Sequence, residues 1–321
     1  MTTEDKRTLA LGLVSECATR LRTVADAATV RGLVGGLAAR AHDLQGDRRD
    51  RPYFTRTMSQ FAHVLRSHGW IEIAGETLEW AIARGALDGH VLSEVAECQL
   101  ARGDVAAAEA TLERARSAEL PTDAIYTSLV KAHGRLGQPD RAREMFDRAC
   151  RDGAVTEFTY PALIAAYATA GDVRSARRVF ERAQAEGRLS APAFTALATA
   201  SAVAGDLAAV DGMLALARES GHLSGRLALA AIRARLNVRQ FAAARRVLED
   251  AKRDGVADAP CYLVIITACH RAGRHREAKR VYASAATDPR LSGDDLKRLR
   301  AAHGRARRAG VTGSPERSMA A

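Results

Sequence analysis

Residues 123–156 read DAIYTSLVKAHGRLGQPDRAREMFDRACRDGAVT, and residues 157–190 directly after them read EFTYPALIAAYATAGDVRSARRVFERAQAEGRLS. Aligned without a gap, the two stretches share a tyrosine, a leucine, three alanines, two arginines, a phenylalanine and two glycines. Before the first glycine, apolar residues recur at i, i+3, i+4 and i+7, as in Tyr126, Leu129 and Val130, and a similar apolar pattern follows it. This spacing predicts two amphipathic helices in each stretch. Each stretch therefore encodes a helical hairpin.

The same pattern continues without slippage on both sides of these two stretches. The slot that ends the first helix is glycine in all units but one: Gly69, Gly103, Gly137, Gly171, Gly205, Arg239 and Gly273. A later slot in the second helix is always alanine: Ala81, Ala115, Ala149, Ala183, Ala217, Ala251 and Ala285. A fixed period of this size indicates stacked supersecondary units. The sequence therefore predicts an all-α, right-handed α-solenoid of seven 34-residue helical hairpins with helical caps at both ends.

The 34-residue register predicts the boundaries of the repeats and of the two caps. The predicted repeats are 55–88, 89–122, 123–156, 157–190, 191–224, 225–258 and 259–292. Residues 1–54 are predicted to form an N-terminal helical cap, in which the helices break near residues 25–29 and a loop covers residues 45–52. Residues 293–310 are predicted to form a C-terminal capping helix, and residues 311–321 a disordered tail. The second helix closes at glycine in five units, whereas Glu119 and Pro289 occupy that slot in the others. We expect the connections at Glu119 and Pro289 to differ.

Composition and charge limit the range of functions that the chain can have. No apolar run is long enough to cross a membrane, and the N-terminus lacks a secretory signal. The five cysteines form no Cys-x-x-Cys pair, so a cytoplasmic protein is predicted. The net charge of +10 is uneven, because residues 259–321 carry 13 Lys and Arg against 5 Asp and Glu. This asymmetry favours an anionic partner near the C-terminal end.

No catalytic constellation emerges from the sequence. The glycines at 32, 35 and 36 are not followed by the Gly-Lys-Ser/Thr of a phosphate loop. Cys269, His270 and His275 suggest a metal, but no second cysteine pair lies at ligand spacing. The prediction is a binding protein, not an enzyme, with no cofactor, no metal, no membrane association and no small-molecule substrate.

The units resemble pentatricopeptide repeats. The resemblance rests on the Tyr-x-x-Leu-Val or Tyr-x-x-Leu-Ile opening at Tyr126 and Tyr160, and on the closing glycines Gly153 and Gly187. The period of 34 rather than 35, and alanine where methionine is favoured after the phenylalanine slot, instead resemble tetratricopeptide repeats. The Trp-x-x-Leu-Gly opening and the closing proline of that second family are missing.

The pentatricopeptide resemblance implies binding of single-stranded RNA, with one nucleotide read per repeat by two side chains. Carried onto this chain, the polar candidates are Ser59 with Asp88, Ser93 with Thr122, Thr127 with Thr156, and Thr195 with Ser224. Only the pair Ser59 and Asp88 matches a recognised combination, which favours purines. Pro161, Leu229 and Leu263 hold the first reading position in other units and cannot hydrogen-bond a base through their side chains. Weak base selectivity is therefore expected.

Basic residues supply the remaining candidates for RNA contact. The resemblance implies a phosphate-contacting residue two positions before the first glycine, and only Arg135 and Arg271 are basic there. A basic cluster at and after the last hairpin turn adds Arg274, Arg276, Lys279 and Arg280. The expected function is single-stranded RNA binding along the concave face with a basic C-terminal end. The alternative is a tetratricopeptide-like scaffold that binds a protein partner, as a peptide or helix, in the same groove.

Overall fold

The protein's structure, a computed structural model, describes residues 3–24, 26–42 and 51–311. Every regular element in these ranges is a helix. The helices are α1 (Thr3–Leu21), α2 (Ala27–His42), α3 (Arg51–Ser67), α4 (Ile71–Ile82), α5 (Gly89–Ala101), α6 (Val105–Ser117), α7 (Asp123–Arg135), α8 (Pro139–Arg151), α9 (Thr159–Thr169), α10 (Val173–Ala185), α11 (Ala191–Val203), α12 (Leu207–Glu219), α13 (Gly225–Asn237), α14 (Phe241–Arg253), α15 (Ala259–Arg271), α16 (His275–Ala286) and α17 (Gly293–Val311). The all-α prediction is confirmed.

From α3 to α16 the helices alternate as helix A and helix B of successive hairpins. The first helix A begins at Arg51, before the predicted start at residue 55, so Arg51 and Pro52 belong to a helix and not to the predicted loop. Proline is tolerated there because a first-turn amide has no partner within the helix. The N-terminal break lies between Leu21 and Ala27, slightly earlier than the predicted position. The predicted tail falls outside the described residues, except that Val311 ends α17.

The chain forms two compact units, Met1–Thr159 and Tyr160–Ala321. In the first unit α3 contacts α5 and α5 contacts α7; in the second α11 contacts α13, α13 contacts α15, and α15 contacts α17. Among the described helices, no contact of comparable extent joins α4 to α6 or α12 to α14. The A helices are therefore the more closely packed layer within each unit. The predicted repeat and cap boundaries remain a prediction.

Hairpin turns are built on residues with left-handed backbone conformation. Gly137 has φ 68° and Gly171 has φ 77°. In each case the next amide donates to a carbonyl five residues earlier, as Gln138 N donates to His133 O at 2.9 Å. These bonds satisfy carbonyls that the end of the helix leaves without a partner. Glycine recurs in this slot because it adopts positive φ without a steric penalty.

Two residues with side chains adopt the same strained conformation. Glu119 has φ 53° and Arg239 has φ 59°. At Glu119 the next amide, Leu120 N, donates to Ala115 O at 2.9 Å, which is the bond seen at the glycine turns. The prediction that the connection at Glu119 differs is therefore wrong, because tertiary packing enforces the turn despite the side chain. The connection at Pro289 does differ, since α16 ends at Ala286 and Leu291 N donates to Asp288 O at 3.2 Å.

Replacing Glu119 by glycine is expected to raise the free energy of unfolding by about 0.5–1 kcal/mol, because glycine removes the left-handed penalty. Urea unfolding followed by circular dichroism measures the change. Glu119→Ala is the control and should bring no comparable gain, since alanine keeps the strained Cβ. A less stable Glu119→Gly protein would contradict this account of the turn.

Tyrosine–carboxylate hydrogen bonds join the start of helix A to the end of helix B in three hairpins. Tyr126 donates to Asp152 at 2.5 Å and Tyr262 to Asp288 at 2.7 Å, and Tyr160 donates to Glu186. The bond from Tyr126 lowers the pKa of Asp152, while burial and this carboxylate raise the pKa of Tyr126 to about 12.

Arginine–aspartate pairs link neighbouring hairpins within each unit. Arg116 on α6 reaches Asp152 after α8, with 2.8 Å between Nε and Oδ2. Arg218 on α12 reaches Asp254 after α14 at 2.5 Å. Near the N-terminus, Arg31 on α2 binds Glu76 on α4 at 2.9 Å. Each of these partly exposed pairs contributes modestly to the free energy of unfolding. Together they align the B helices of successive hairpins.

Candidate nucleic-acid interface

The exposed side of the A helices is termed the A face. Most of the predicted reading residues lie at or near it, whereas Thr122 and Thr127 are buried. In the second unit it is formed by α11, α13 and α15, with Thr199, Arg233 and Thr267 among its residues. Because a helix repeats every 3.6 residues, Arg226, Arg233 and Asn237 share one side of α13. The A face thus brings side chains from successive repeats into line.

The second reading position is the N-cap of the next helix A at Asp88, Thr122 and Ser224, whereas Thr156 lies three residues before the start of α9. Asp88 accepts from Val91 N at 2.8 Å and Ser224 accepts from Leu227 N at 3.3 Å. Thr122 holds the same cap position before α7 and is buried. Ser, Thr and Asp are the residues that N-caps favour. Helix capping therefore accounts for the polar side chains of Asp88 and Ser224, whereas Thr122 makes no side-chain cap bond.

The first reading position is also engaged within the fold. The Thr127 hydroxyl lies 2.9 Å from the Thr159 hydroxyl, which in turn lies 3.1 Å from that of Thr156. Ser93 donates to Gly89 O at 2.7 Å and Thr195 donates to Ala191 O at 3.1 Å. Hydroxyls bonded back to their own helix retain only their remaining lone pairs for a ligand.

Ser59 is half-buried on α3 and begins the one pair that the resemblance associates with purines. Its intended partner Asp88 already uses a carboxylate oxygen as the cap of α5. On α3, Arg66 is paired with two carboxylates of α5. Arg66 lies 3.3 Å from Glu94 and 3.4 Å from Glu97. Such pairs leave little net positive charge for phosphate groups, as expected from the sequence of the early repeats.

The A face of the second unit contains a groove rich in arginine. It lies between α13 and α15, extends to the two hairpin turns that follow them, and has a volume of about 700 Å³. Four arginines line it: Arg233, Arg239, Arg271 and Arg274. Among the described residues that line it, none is acidic. This arginine groove concentrates positive charge on the A face of the second unit.

The charges of the arginine groove are largely uncompensated. Arg274 pairs with Glu277 at 2.9 Å and lies over the Phe241 ring, 4.5 Å from its centroid. Within the described part of the chain, no side-chain hydrogen bond or ion pair reaches Arg233, Arg239 or Arg271. Like charges held together in this way raise the local concentration of anions.

The helix starts beside the arginine groove lack a carboxylate cap, as those of α4 and α8 also do, whereas three other B helices have one. Asp104, Asp172 and Asp206 cap α6, α10 and α12, and each accepts a backbone N–H at 2.9 Å. The corresponding positions before α14 and α16 are Gln240 and Arg274, which make no side-chain cap bond. The carboxylate that would stand at the rim of the groove is thus replaced by neutral and cationic side chains.

A smaller groove of about 340 Å³ adjoins the arginine groove on the A face. It lies between α11 and α13 and shares Arg233 and Asn237 with its neighbour. Val203, Leu229 and Ala230 give it apolar walls. These aliphatic side chains can contact the flat face of any nucleobase, because they offer no hydrogen-bonding group that would distinguish one base from another.

The structure sorts the basic residues suggested by the sequence into two groups. Arg271 and Arg274 line the arginine groove. Arg135 is exposed on α7, where its Nε lies 3.4 Å from Lys131 O. The remaining three are exposed on α16 and do not line the groove: Arg276, Lys279 and Arg280.

Sequence reasoning missed Arg233 and Arg239. Arg233 faces the groove from a helix position that was not considered for phosphate contact. Arg239 did carry a signal, because it stands where the other units have glycine. An arginine in a left-handed position is strained, and such strain persists only where the surrounding structure enforces it.

Three histidines lie in a chain beside the last hairpin turn. His270 Nδ1 is 3.2 Å from His275 Nδ1, and His270 Nε2 is 2.9 Å from His303 Nδ1. Burial and the two neighbouring histidines lower the pKa of His270. Because His270 uses opposite ring nitrogens for its two neighbours, the three side chains do not converge on one ion. Burial raises the pKa of the adjacent Cys269 thiol to about 11, which disfavours the thiolate form.

No group of three or more His, Cys, Asp or Glu side chains in the described ranges is arranged to hold a metal ion. Of the helices described, none combines the length and the apolar character that a membrane crossing requires.

Comparison with known protein families matches two segments of the chain. The family model described as PPR repeat matches residues 124–153 and 158–188. These two segments are pentatricopeptide repeats. The match covers the two units whose sequences open and close as that family's repeats do. The 34-residue spacing of these pentatricopeptide repeats remains a tetratricopeptide-like feature. No curated protein matches the chain in sequence.

Solved structures share the helical-repeat architecture. The pentatricopeptide repeat protein PPR10 from maize aligns with a TM-score of 0.55 and 17% identity over 99% of this chain and 55% of that one. PPR10 in complex with an 18-nt psaJ RNA element aligns with a TM-score of 0.53 and 19% identity over 99% of this chain and 43% of that one. Yeast Tom70 aligns with a TM-score of 0.58 and 13% identity over 89% of this chain and 61% of that one.

These likenesses establish the fold as an α-solenoid of the kind that pentatricopeptide and tetratricopeptide repeats form. The present chain spans about half the length of the first of these maize structures.

Proposed function

We propose that this chain binds single-stranded RNA on its A face, holds the strand mainly by its phosphate groups, and selects weakly among bases. It acts as a binding protein and not as a catalyst. The observation that carries the proposal is the arginine groove, which places four arginines on the A face of a chain with pentatricopeptide repeats. Guanidinium groups match phosphate oxygens through paired N–H donors.

The weak selectivity follows from the state of the reading positions. Asp88 and Ser224 cap helices, Thr127 and Thr156 contact Thr159, and Leu229 offers no hydrogen-bonding group. Phosphate contacts position a strand without reading its sequence. They therefore raise the affinity for RNA without raising the selectivity among bases. The apolar groove between α11 and α13 supports this proposal, because stacking on it is open to every base.

Competition among short RNA homopolymers tests the proposal. With a labelled single strand bound at low salt, the four homopolymers are expected to compete within about tenfold of one another, since a hydroxyl contact contributes on the order of 1 kcal/mol. Duplex RNA should compete poorly, because its bases are stacked inside the helix and cannot reach the apolar groove.

Two results would count against the proposal in different ways. Discrimination of about a thousandfold between single-stranded sequences, roughly 4 kcal/mol, would overturn the weak selectivity. The absence of binding at low salt would overturn the RNA function and favour the alternative, a scaffold that holds a peptide on the same face. A nuclease-treated pull-down from cell extract separates these alternatives directly, because only an RNA-bridged partner is lost on treatment.

A further inference from the structure

The arginine groove carries more positive charge than one internal phosphate of an RNA strand requires. Three of its arginines have no partner among the described residues, and the fourth is shared with Glu277. An internucleotide phosphate carries a single negative charge. A phosphomonoester carries about −1.5 to −2 at neutral pH and three acceptor oxygens. The groove therefore matches the phosphomonoester better in charge.

The hairpin turn of this unit adds a cationic side chain, Arg239, to the residues that line the groove. Six of the seven units place glycine at this hairpin turn, and Arg239 alone keeps a long side chain there at φ 59°. Glycine would remove the strain, so the arginine is retained at a cost in stability. Its side chain lines the groove together with that of Arg274 from the next turn.

The shape of the groove is also suited to a strand end. It is open and large enough for a phosphate with its ribose, and its volume lies in the range of small-ligand sites. The apolar groove between α11 and α13 begins beside it at Arg233 and Asn237. A strand anchored in the arginine groove can thus continue along the A face with its first base on Leu229 and Ala230.

We propose that the arginine groove binds a phosphomonoester and that, in the RNA-bound protein, this group is the terminal phosphate of the strand. That the phosphomonoester belongs to an RNA strand rests on the proposed RNA function. That the groove binds a phosphomonoester at all does not depend on it. Arg239 and Arg274 hold the terminal phosphate from the two turns, and Arg233 and Arg271 hold it from the A helices. The groove then marks where a bound strand ends.

The test uses one single-stranded RNA sequence in three forms: with a 5′-phosphate, with a 3′-phosphate, and with hydroxyls at both ends. Fluorescence anisotropy with the full chain measures each affinity. One phosphorylated form is expected to bind about tenfold more tightly than the hydroxyl form, a difference of about 1.4 kcal/mol. In Arg239→Gly this advantage is expected to fall below about twofold, since one of the guanidinium groups that hold the phosphate is lost.

Glu119→Gly provides the matched control, because it makes the same change at the other strained turn, away from the groove. Both glycine variants are expected to unfold at higher denaturant than the parent protein, which excludes misfolding as the cause of lost affinity. Glu119→Gly keeps the full preference for the phosphorylated strand. Equal loss of the preference in both variants would overturn the role of Arg239.

The other outcomes separate the two proposals. If all three RNA forms bind equally, the terminal-phosphate assignment fails and the RNA function stands. If adenosine 5′-monophosphate binds as tightly as the phosphorylated strand and depends on Arg239 in the same way, the groove serves a free nucleotide and the strand end is the wrong source. If neither RNA nor the nucleotide binds at low salt, both proposals fail.

Discussion

Replacing Phe180 by alanine is expected to lower the free energy of unfolding by roughly 3–5 kcal/mol. Phe180 on α10 is 2% exposed, and its ring lies 5.0 Å from that of Phe194 on α11 in an edge-to-face arrangement. The substitution removes the ring from the contact between two successive hairpins and leaves a cavity there. It also removes an aromatic pair, which contributes beyond its buried area. Urea unfolding monitored by circular dichroism measures the loss.

Phe158→Ala is the matched control, because it deletes the same ring from a side chain that is 54% exposed. Its effect is expected to stay within about 0.5 kcal/mol. Similar losses for the two variants, or a loss below about 1 kcal/mol for Phe180→Ala, would show that Phe180 does not fill the space between hairpins.

Raising the salt concentration from about 50 to about 200 mM is expected to weaken RNA binding roughly 50-fold. The reason is counterion release, which for single strands lowers log K by about 0.7 per log unit of salt for each neutralised phosphate charge. A terminal phosphate and the two internucleotide phosphates next to it carry about four negative charges together, and the four arginines of the groove neutralise on the order of that number. Anisotropy titrations at several salt concentrations give the slope.

Two double variants locate the source of this slope. Arg233→Ser with Arg271→Ser removes two of the four arginines, so the same salt change should weaken binding only roughly sevenfold. Lys279→Ser with Arg280→Ser removes the same charge from α16, outside the groove, and should change the slope by less than half as much. Equal slopes in the two double variants would place the RNA on another surface.

The hairpin architecture could be predicted because its determinants are local. Gly137 and Gly171 mark turns that need a left-handed residue, and the apolar spacing before them marks helix A. The same local logic failed at Glu119, where the turn forms without glycine. There the packing of the two flanking helices outweighs the preference of a single residue. Arg51 and Pro52 joined a helix rather than a loop for a related reason, since composition alone does not show where a first turn begins.

The candidate site was harder to predict, because the same polar side chains can either read a base or cap a helix. Asp88 and Ser224 have the side chains that a base reader needs, and they also have those that an N-cap needs. Sequence alone does not separate the two uses. The arginine groove depends on which residues of α13 and α15 face each other, and Arg233 and Arg271 are 38 residues apart in sequence. That distance becomes a shared site only when two hairpins stack.

The tyrosine–carboxylate and arginine–carboxylate bonds all join residues that are near one another in the chain. Tyr262 and Asp288 are 26 residues apart, Arg116 and Asp152 are 36 apart, and Arg31 and Glu76 are 45 apart. Closing such short loops costs little entropy, and topologies dominated by local contacts fold quickly. A hairpin therefore has all its partners once it and its neighbour have left the ribosome. The chain can acquire its structure stepwise during synthesis, hairpin after hairpin, without waiting for its C-terminal end.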